Sequence, residues 1–192
     1  MSANPSPLSV VSSVISVPRN RRLIKAVLDA TRDIEASGAS PLTARRRQVL
    51  KIKKILVQEM CLTRFNKKGP DECYHKHYKE VGVSEIRTDV VKDIVSYHYF
   101  LHEVSHFLLH VNYNKDKVSY NEFRRERFLM EGQADSLANI IKLKNNKACD
   151  TSKYHAWALS ERSKVVKESK YLEVYKLFWV DIEEHLKKAF AR

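Results

Sequence analysis

The chain has 192 residues, 43% of them hydrophobic, so one compact domain, with or without a helical extension, can fold without disulfide staples. Its net charge of +12 and the lack of any run of roughly 18 apolar residues exclude a membrane-spanning protein from the expected classes. Three irregularly spaced cysteines, Cys61, Cys73 and Cys149, form neither a disulfide framework nor a CxxC pair, so we expect a cytoplasmic protein.

The positive charge is concentrated near the N-terminus. Residues 19–68 hold 14 Lys and Arg against 4 Asp and Glu, whereas residues 89–192 hold 18 against 15. A field of one sign attracts polyanions, so nucleic-acid binding through residues 19–68 is one interpretation and a solvated pair of basic helices is the other. Because Phe65 is the only aromatic residue of this region, phosphate contact is favoured over base stacking.

The first part of the chain predicts a tail and two helices. Residues 1–18 are rich in Ser, Pro and Val and predict a flexible N-terminal tail. Apolar residues at helical spacing predict a helix over residues 19–37. Ser40 and Pro41 then suit the N-cap and first position of a second helix, which continues to Met60.

A polar stretch follows at residues 66–80 and predicts a loop. Its Cys73, His75 and His77 could form a second metal site, but nothing nearby completes a ligand set, so a flexible surface loop is favoured. Together with the two helices, this loop makes up a basic helical N-terminal region, residues 19–80.

The remaining residues, 81–192, predict a separate α+β, mainly helical domain. Alternating apolar residues predict a short strand at 81–87. Thr88 as N-cap and Asp89 in the first turn predict a helix that reaches about Val111. Helical spacing returns at 122–144 and twice more beyond residue 150. We also expect a small sheet to pack on the helix that ends near Val111.

That helix contains His102-Glu103-Val104-Ser105-His106. Histidines four positions apart on a helix direct their imidazoles to one point, which suits two ligands of a zinc ion. Glu103 flanks this point without ligating the metal, so it could take a proton from a water that the metal activates. Histidines with a merely structural role are the alternative, and the helical pattern, the preceding strand and a later carboxylate pair argue against it.

The third ligand is expected from Glu131-Gly132-Gln133-Ala134-Asp135. Glu131 and Asp135 are also four positions apart and share a helix face. One could bind zinc while the other orients a ligating imidazole through its far nitrogen, and Glu131 is favoured as the ligand. The alternative is a solvated acidic face.

The sequence HEVSHFLLH at 102–110, followed by EGQADSLA at 131–138, resembles the HExxH…ExxA(D/E) pattern of gluzincin zinc metallopeptidases. It is similar to the ImmA/IrrE family and to the metallopeptidase domain of ArdC-type anti-restriction proteins. This resemblance covers roughly residues 81–190 and implies a zincin-like fold, one Zn²⁺ per chain and Glu131 as third ligand. ArdC-type proteins also carry an N-terminal single-stranded-DNA-binding domain, which residues 1–80 do not match.

Other histidines extend the series around the motif. His98 and His110 lie four positions before and after it, but a helix drifts by about 40° per four residues, so four imidazoles cannot converge on one ion. His98 is expected to pack between Tyr97 and Tyr99. His110 is expected to have a structural role or to support a ligand from behind.

Peptide hydrolysis also needs a group that stabilises the oxyanion. His155 is the catalytic candidate, with Tyr154 or a tyrosine of the motif helix as alternatives.

Three functions remain open. The first is a zinc metallopeptidase whose protein or peptide substrate pairs with the strand edge near Val83–Ile86. The second is a zincin-like anti-restriction or DNA-interacting protein in which zinc is structural and the basic region binds nucleic acid. The third is a helical interaction module in which the motif is accidental.

Overall fold

A computed structural model describes residues 17–32, 40–66, 73–111, 130–135, 137–138 and 140–142. Its elements, in chain order, are α1 Pro18–Arg32, α2 Pro41–Gln58, β1 Cys61–Asn66, β2 Tyr74–Tyr78, β3 Val83–Asp89 and α3 Ile94–His110. Residues 130–135, 137–138 and 140–142 are also helical and are termed the Glu131 segment. The predicted mixed, mainly helical α+β fold is confirmed at this level. The predicted tail up to residue 16 and the helices beyond residue 150 lie outside the described residues.

The three strands form one sheet in the order β1-β3-β2. β1 runs parallel to β3, with Cys61 opposite Ser84, and β2 runs antiparallel to it, with His75 opposite Ile86. Both hydrogen-bonding edges of β3 are therefore occupied. The expectation that a substrate pairs with β3 near Val83–Ile86 is wrong, because only β1 and β2 are edge strands among the described strands.

One hydrophobic core joins the helices to the sheet. α3 contacts β3, β2 and α1, while α2 contacts β1 and α1. The largest fully buried side chains come from all of these layers and from the Glu131 segment: Ile24, Ile52, Leu56, Ile86, Phe100, Leu101, Phe107, Leu108, Leu137, Ile140 and Ile141. The sheet and this core both cross the predicted domain boundary between residues 80 and 81.

The passage from α2 to β1 differs from the sequence prediction. α2 begins as expected, with Ser40 as N-cap, but it ends at Gln58. Met60 takes a positive φ of 58°, which reverses the chain, and its carbonyl accepts a hydrogen bond of 2.9 Å from Ser84 N. The residues that follow form β1, and Tyr74–Tyr78 form β2 where a loop was predicted.

α3 begins later than its predicted N-cap, Thr88. The N-cap is Asp93, whose carboxylate accepts from Ser96 N at 2.7 Å, while the Ser96 hydroxyl lies 3.1 Å from Asp93 N in a capping box. Thr88 belongs to β3 and is buried opposite Phe65. These hydrogen bonds satisfy backbone N–H groups at the N-terminus of α3. The helix therefore begins regularly and positions the histidines in its middle.

None of the helices within the described ranges combines the length and apolarity that crossing a bilayer requires.

Candidate metal centre

His102 and His106 project from one face of α3, near the middle of the helix. The opposite side of the cluster is supplied by Glu131. His102 is buried, and the side chains of His106 and Glu131 are each 14% exposed. The predicted ligand trio is thus brought together at a point that solvent reaches only narrowly.

The three facing atoms have the spacing of metal ligands. His102 Nε2 lies 3.0 Å from His106 Nε2 and 3.0 Å from Glu131 Oε2, and His106 Nε2 lies 3.4 Å from Glu131 Oε2. Zinc–ligand bonds of about 2.0–2.1 Å at tetrahedral angles separate neighbouring ligand atoms by about 3.3–3.4 Å. His102, His106 and Glu131 are therefore positioned to hold one metal ion.

The far nitrogen of His102 is held by Asp135. His102 Nδ1 lies 2.6 Å from Asp135 Oδ1, inside the buried interior. A carboxylate accepts here, so Nδ1 carries a proton, and Nε2 is the nitrogen whose lone pair a metal ion would take once its own proton is lost. Asp135 therefore lies where a residue that orients His102 would lie, and Glu131 lies at the position predicted for the third ligand.

The far nitrogen of His106 is held by neutral groups instead. His106 Nδ1 lies 3.2 Å from His110 Nδ1, and His110 Nε2 lies 2.7 Å from Gln133 Oε1. His110 donates to the amide oxygen and accepts from His106, so Nε2 of His106 also keeps its lone pair. Burial, followed by the charge of His106, lowers the pKa of His110 to about 3, which keeps that ring neutral. His110 has the supporting position that was expected.

The cluster stabilises positive charge at His102. Burial lowers the pKa of His102, but the Asp135 carboxylate and its hydrogen bond, together with Glu131, raise this pKa to about 10. Burial raises the pKa of Asp135, but the charge of His102 and the hydrogen bonds from His102 and His98 hold it well below its usual range. A metal ion brings positive charge to the position where these carboxylates favour it.

A second group of possible ligands, His98, His102 and Asp135, overlaps the first. His98 Nε2 lies 3.2 Å from Asp135 Oδ1, and Lys142 Nζ lies 2.7 Å from His98 Nδ1. The 2.6 Å contact between His102 and Asp135 is a hydrogen-bond length and is shorter than the ligand spacing of a tetrahedral ion. An ammonium beside the group further disfavours a cation, so the trio of His102, His106 and Glu131 is the better candidate for a metal site.

His98 therefore differs from its predicted packing role. Its ring lies 6.5 Å from the ring of Tyr99, yet its nitrogens contact Asp135 and Lys142. Burial lowers the pKa of His98 to about 4. The neutral imidazole is a hydrogen-bonding link between a cation and an anion rather than an aromatic neighbour of tyrosines.

Glu103 is buried, with 6% exposure, and lies on α3 directly after the first ligand. Cys73 is within electrostatic reach of it: burial raises the pKa of this thiol, and the Glu103 charge adds a smaller increase. Glu103 thus lies near Cys73, the residue that precedes β2.

β2 also brings His75 to the site, where a surface loop was predicted. The His75 ring packs edge-on against Phe107 at 5.8 Å, and Nε2 of His75 is buried with no hydrogen-bond partner among the described residues. Burial, with a further contribution from His106, lowers the pKa of His75 to about 3. His77 contacts Ser84 Oγ at 2.9 Å instead, so the cysteine and two histidines of this stretch do not share one site.

Only some of the residues proposed to stabilise the oxyanion lie within the described part of the chain. His155 and Tyr154 lie outside the described residues. On α3, the Tyr97 hydroxyl is buried and donates to Gln48, so that tyrosine is engaged away from the metal position.

Two supporting residues, Gln133 and Lys142, were not foreseen from the sequence. Lys142 lies seven positions after Asp135, a spacing that places both on one helix face, and this signal was available. The contact between Gln133 and His110 joins two segments that are distant in the sequence, and no local sequence pattern predicts it.

The basic N-terminal region makes several intramolecular contacts. Arg22 pairs with Glu59 at 2.7 Å, and Arg64 pairs with Glu85 at 3.0 Å. Lys53 lies over the Phe65 ring, which in turn lies 6.3 Å from Phe100 in the core. Phe65 is therefore unsuitable as a stacking platform for bases.

Comparisons with known proteins place no further constraint on the site: no family model, no curated protein and no solved structure matches this chain.

Proposed function

We propose that this protein is a zinc metallopeptidase of the gluzincin type that hydrolyses peptide bonds of a protein substrate. The observation that supports this most is the convergence of two imidazole nitrogens and one carboxylate oxygen within 3.0–3.4 Å, each imidazole held from behind in the tautomer a metal requires. Random surface histidines have no reason to be fixed in this way.

The donor set fits zinc better than calcium or magnesium. Two imidazoles and one carboxylate make up a known type of catalytic zinc site, whereas calcium and magnesium prefer oxygen ligands alone. Among the described residues, no fourth His, Cys, Asp or Glu joins the trio. A site with three protein ligands leaves one position for water or substrate, and the bound ion would there supply Lewis-acid activation of water near neutral pH.

The charge of the surroundings also suits a divalent ion. Glu103, Glu131 and Asp135 contribute three carboxylates beside His102, and Lys142 contributes one ammonium. With all four ionised and the imidazoles neutral, as metal ligation requires, the cluster carries a net charge of −2, which a divalent cation neutralises. Buried charge of this size is costly when it is uncompensated.

Glu103 is the proposed general base. Glu103 is buried and directly follows the proposed ligand His102 on α3, but it belongs to neither group of possible metal ligands. It would accept a proton from the attacking water and deliver it to the leaving amine. No group with a similar position is available from the other described carboxylates, because Glu131 and Asp135 are engaged with His102.

The proposed substrate is a peptide in extended conformation. β2 is an edge strand among the described strands, and its His75 lies beside Phe107, the residue that follows the ligand His106. A substrate paired along β2 would pass the metal position, and pairing with backbone groups would tolerate many side chains. The substrate edge is thus β2, in place of β3.

The test is a Glu103→Gln variant. Gln keeps the shape and hydrogen-bonding capacity of the side chain but does not accept the proton, so zinc content and thermal melting should match the unmodified protein. Cleavage of a mixture of randomised, internally quenched fluorescent peptides should fall by at least about a hundredfold.

Glu85→Gln is the matched control, since Glu85 is a partly buried carboxylate of β3 that pairs with Arg64. It should retain both zinc and cleavage. Full activity of Glu103→Gln would rule out general-base catalysis by this residue.

A second candidate function rests on a different observation, the exposed basic side chains of α2, among them Arg46, Lys51 and Lys54. In this alternative, a zincin-like anti-restriction or DNA-interacting protein uses zinc structurally and contacts nucleic-acid phosphates. It predicts that Glu103→Gln keeps the full biological effect while loss of basic residues abolishes it.

A further inference from the structure

A buried lysine lies behind the metal position. Lys142 is 2% exposed, and its Nζ lies 2.7 Å from His98 Nδ1. His98 is equally buried, and neither residue belongs to the trio of proposed metal ligands. Lysine is among the residues least often fully buried, so a buried lysine at this position requires a physical explanation.

The contacts fix where each proton lies. An ammonium only donates, so His98 Nδ1 accepts from Lys142, and the single proton of the neutral His98 ring is on Nε2. That N–H donates to Asp135 Oδ1 at 3.2 Å, and the same oxygen accepts from His102 Nδ1 at 2.6 Å. Lys142, His98, Asp135 and His102 thus form one directed chain that ends at the metal-facing nitrogen.

We propose that Lys142 is a positioning residue for the metal site: it acts through His98 and Asp135 to fix the orientation and tautomer of the ligand His102. This inference rests on the proposed metal-binding function and adds a role to a residue outside the ligand set. Without the donor at Nδ1, this nitrogen is buried without the Lys142 hydrogen bond, and the His98 ring is held from one side only. The ring can then rotate, which weakens its contact with Asp135, the group that holds His102.

The same residue keeps the centre mononuclear. His98, His102 and Asp135 form the second group of possible ligands among the described residues, and this group shares His102 with the first. The Lys142 ammonium adds positive charge to this group and donates to His98 Nδ1, the ring nitrogen that does not face Asp135. A second divalent ion would have to displace a proton from His102 Nδ1 and lie near a fixed cation, so one ion per chain is expected.

The experiment compares Lys142→Met with Lys142→Gln in the full-length protein. Met removes the donor and keeps the apolar stem, whereas Gln retains an N–H donor without charge. Zinc affinity is measured by competition with a chromophoric chelator, and Co²⁺ is loaded in place of zinc to record its visible absorption. Lys54→Met, an exposed lysine of α2, is the control for the loss of one positive charge.

We expect Lys142→Met to weaken zinc binding by about tenfold or more, the usual effect of removing a partner that supports a metal ligand, and to shift the Co²⁺ bands. Lys142→Gln should remain within a few-fold of the unmodified protein, and Lys54→Met should be unchanged. Lys54→Met, like the unmodified protein, should bind one equivalent of metal. Unchanged or tighter zinc binding by Lys142→Met would overturn the proposal, as would equal losses in the Met and Gln variants.

A second pair of variants covers the case in which Lys142→Met does not fold. His98→Gln can still accept from Lys142 and donate to Asp135, whereas His98→Leu can do neither. The positioning role predicts near-normal zinc affinity and Co²⁺ absorption for His98→Gln and a loss for His98→Leu. If both variants bind zinc as the unmodified protein does, the chain has no influence on the ligand and the proposal fails.

Failure of the wider metal proposal has a different signature. In that case the unmodified protein itself takes up no zinc, or His106→Ala retains it. If instead the unmodified protein binds one zinc tightly and Lys142→Met binds it equally well, only the positioning role is overturned.

Discussion

The buried cluster of histidines and carboxylates around His102 and the basic helices α1 and α2 place their charged groups in opposite environments. In the cluster, the Asp135 carboxylate is buried and accepts from two imidazoles at 2.6 and 3.2 Å. On α1 and α2, charges face solvent, and a pair such as Arg22–Glu59 includes a guanidinium that is 68% exposed. Buried charges must be fully paired to be tolerated, whereas exposed pairs contribute little. Substitutions should therefore have large, specific effects in the first region and small effects in the second.

The largest effect is expected from the ligands themselves. His102→Ala removes one of three ligand atoms and leaves Asp135 without its closest donor. We expect zinc content, measured by elemental analysis of protein purified without added metal, to fall from one equivalent per chain to nearly none. His77→Ala is the matched control, since His77 contacts Ser84 away from the cluster, and it should retain the metal. A variant at His102 that retains full zinc content would disprove the ligand assignment.

A smaller effect should separate the two supports behind the ligands. Asp135→Asn replaces a charged acceptor of His102 by a neutral one and should weaken zinc binding by about ten- to a hundredfold. Gln133→Leu removes the neutral acceptor of His110, two steps from the metal position, and should weaken it only a few-fold. Chelator competition measures both affinities. Equal losses would show that the charge of Asp135 has no special role.

The basic surface should respond to salt rather than to single side chains. If α2 contacts phosphates, binding to a fluorescent single strand should be independent of sequence. The slope of log affinity against log salt should become shallower by about 1.4 in a Lys51→Gln/Lys54→Gln double variant. Zinc content should not change. Fluorescence anisotropy at low and physiological salt measures this, and no binding even at low salt would exclude a nucleic-acid role for this surface.

The smallest effect is expected at the exposed ion pair. Glu59 contacts Arg22 at 2.7 Å and Arg19 at 3.7 Å. Glu59→Gln should lower the free energy of unfolding by less than about 1 kcal/mol, because exposed pairs gain little over their separate hydration. Urea denaturation measures the difference. A loss several times larger would mean that the two regions do not differ in the way proposed.

Features of the sequence that act locally were predictable, and those set by distant contacts were not. Ser40 and Pro41 start α2 as expected, because an N-cap is determined by its own turn. Thr88 has the same local character, but pairing between β3 and β1 draws it into the sheet, and Asp93 caps α3 instead. Register with a strand more than 20 positions away overrides the local preference.

The candidate site divides in the same way. Histidines four positions apart on a helix share one face, so the motif alone was sufficient to predict that the rings of His102 and His106 converge. The hydrogen-bonding role of His98 depends on Lys142, which comes from a segment 44 positions further along the chain. His75 reaches the site only because β2 pairs with β3. Sequence patterns predict ligands on one helix, and tertiary packing selects the residues that support them.

The placement of Glu131 has a consequence for how the chain is held together. This ligand lies 25 positions after His106, so a bound ion closes a loop of that length in the manner of a disulfide. The chain-entropy estimate for such a cross-link is about 3.5 kcal/mol. A chelator would therefore open this loop, and hydrogen exchange should rise first at residues 130–142 while β1, β2 and β3 remain protected. The bound ion would thus stabilise the fold as a removable cross-link, in addition to its proposed catalytic role.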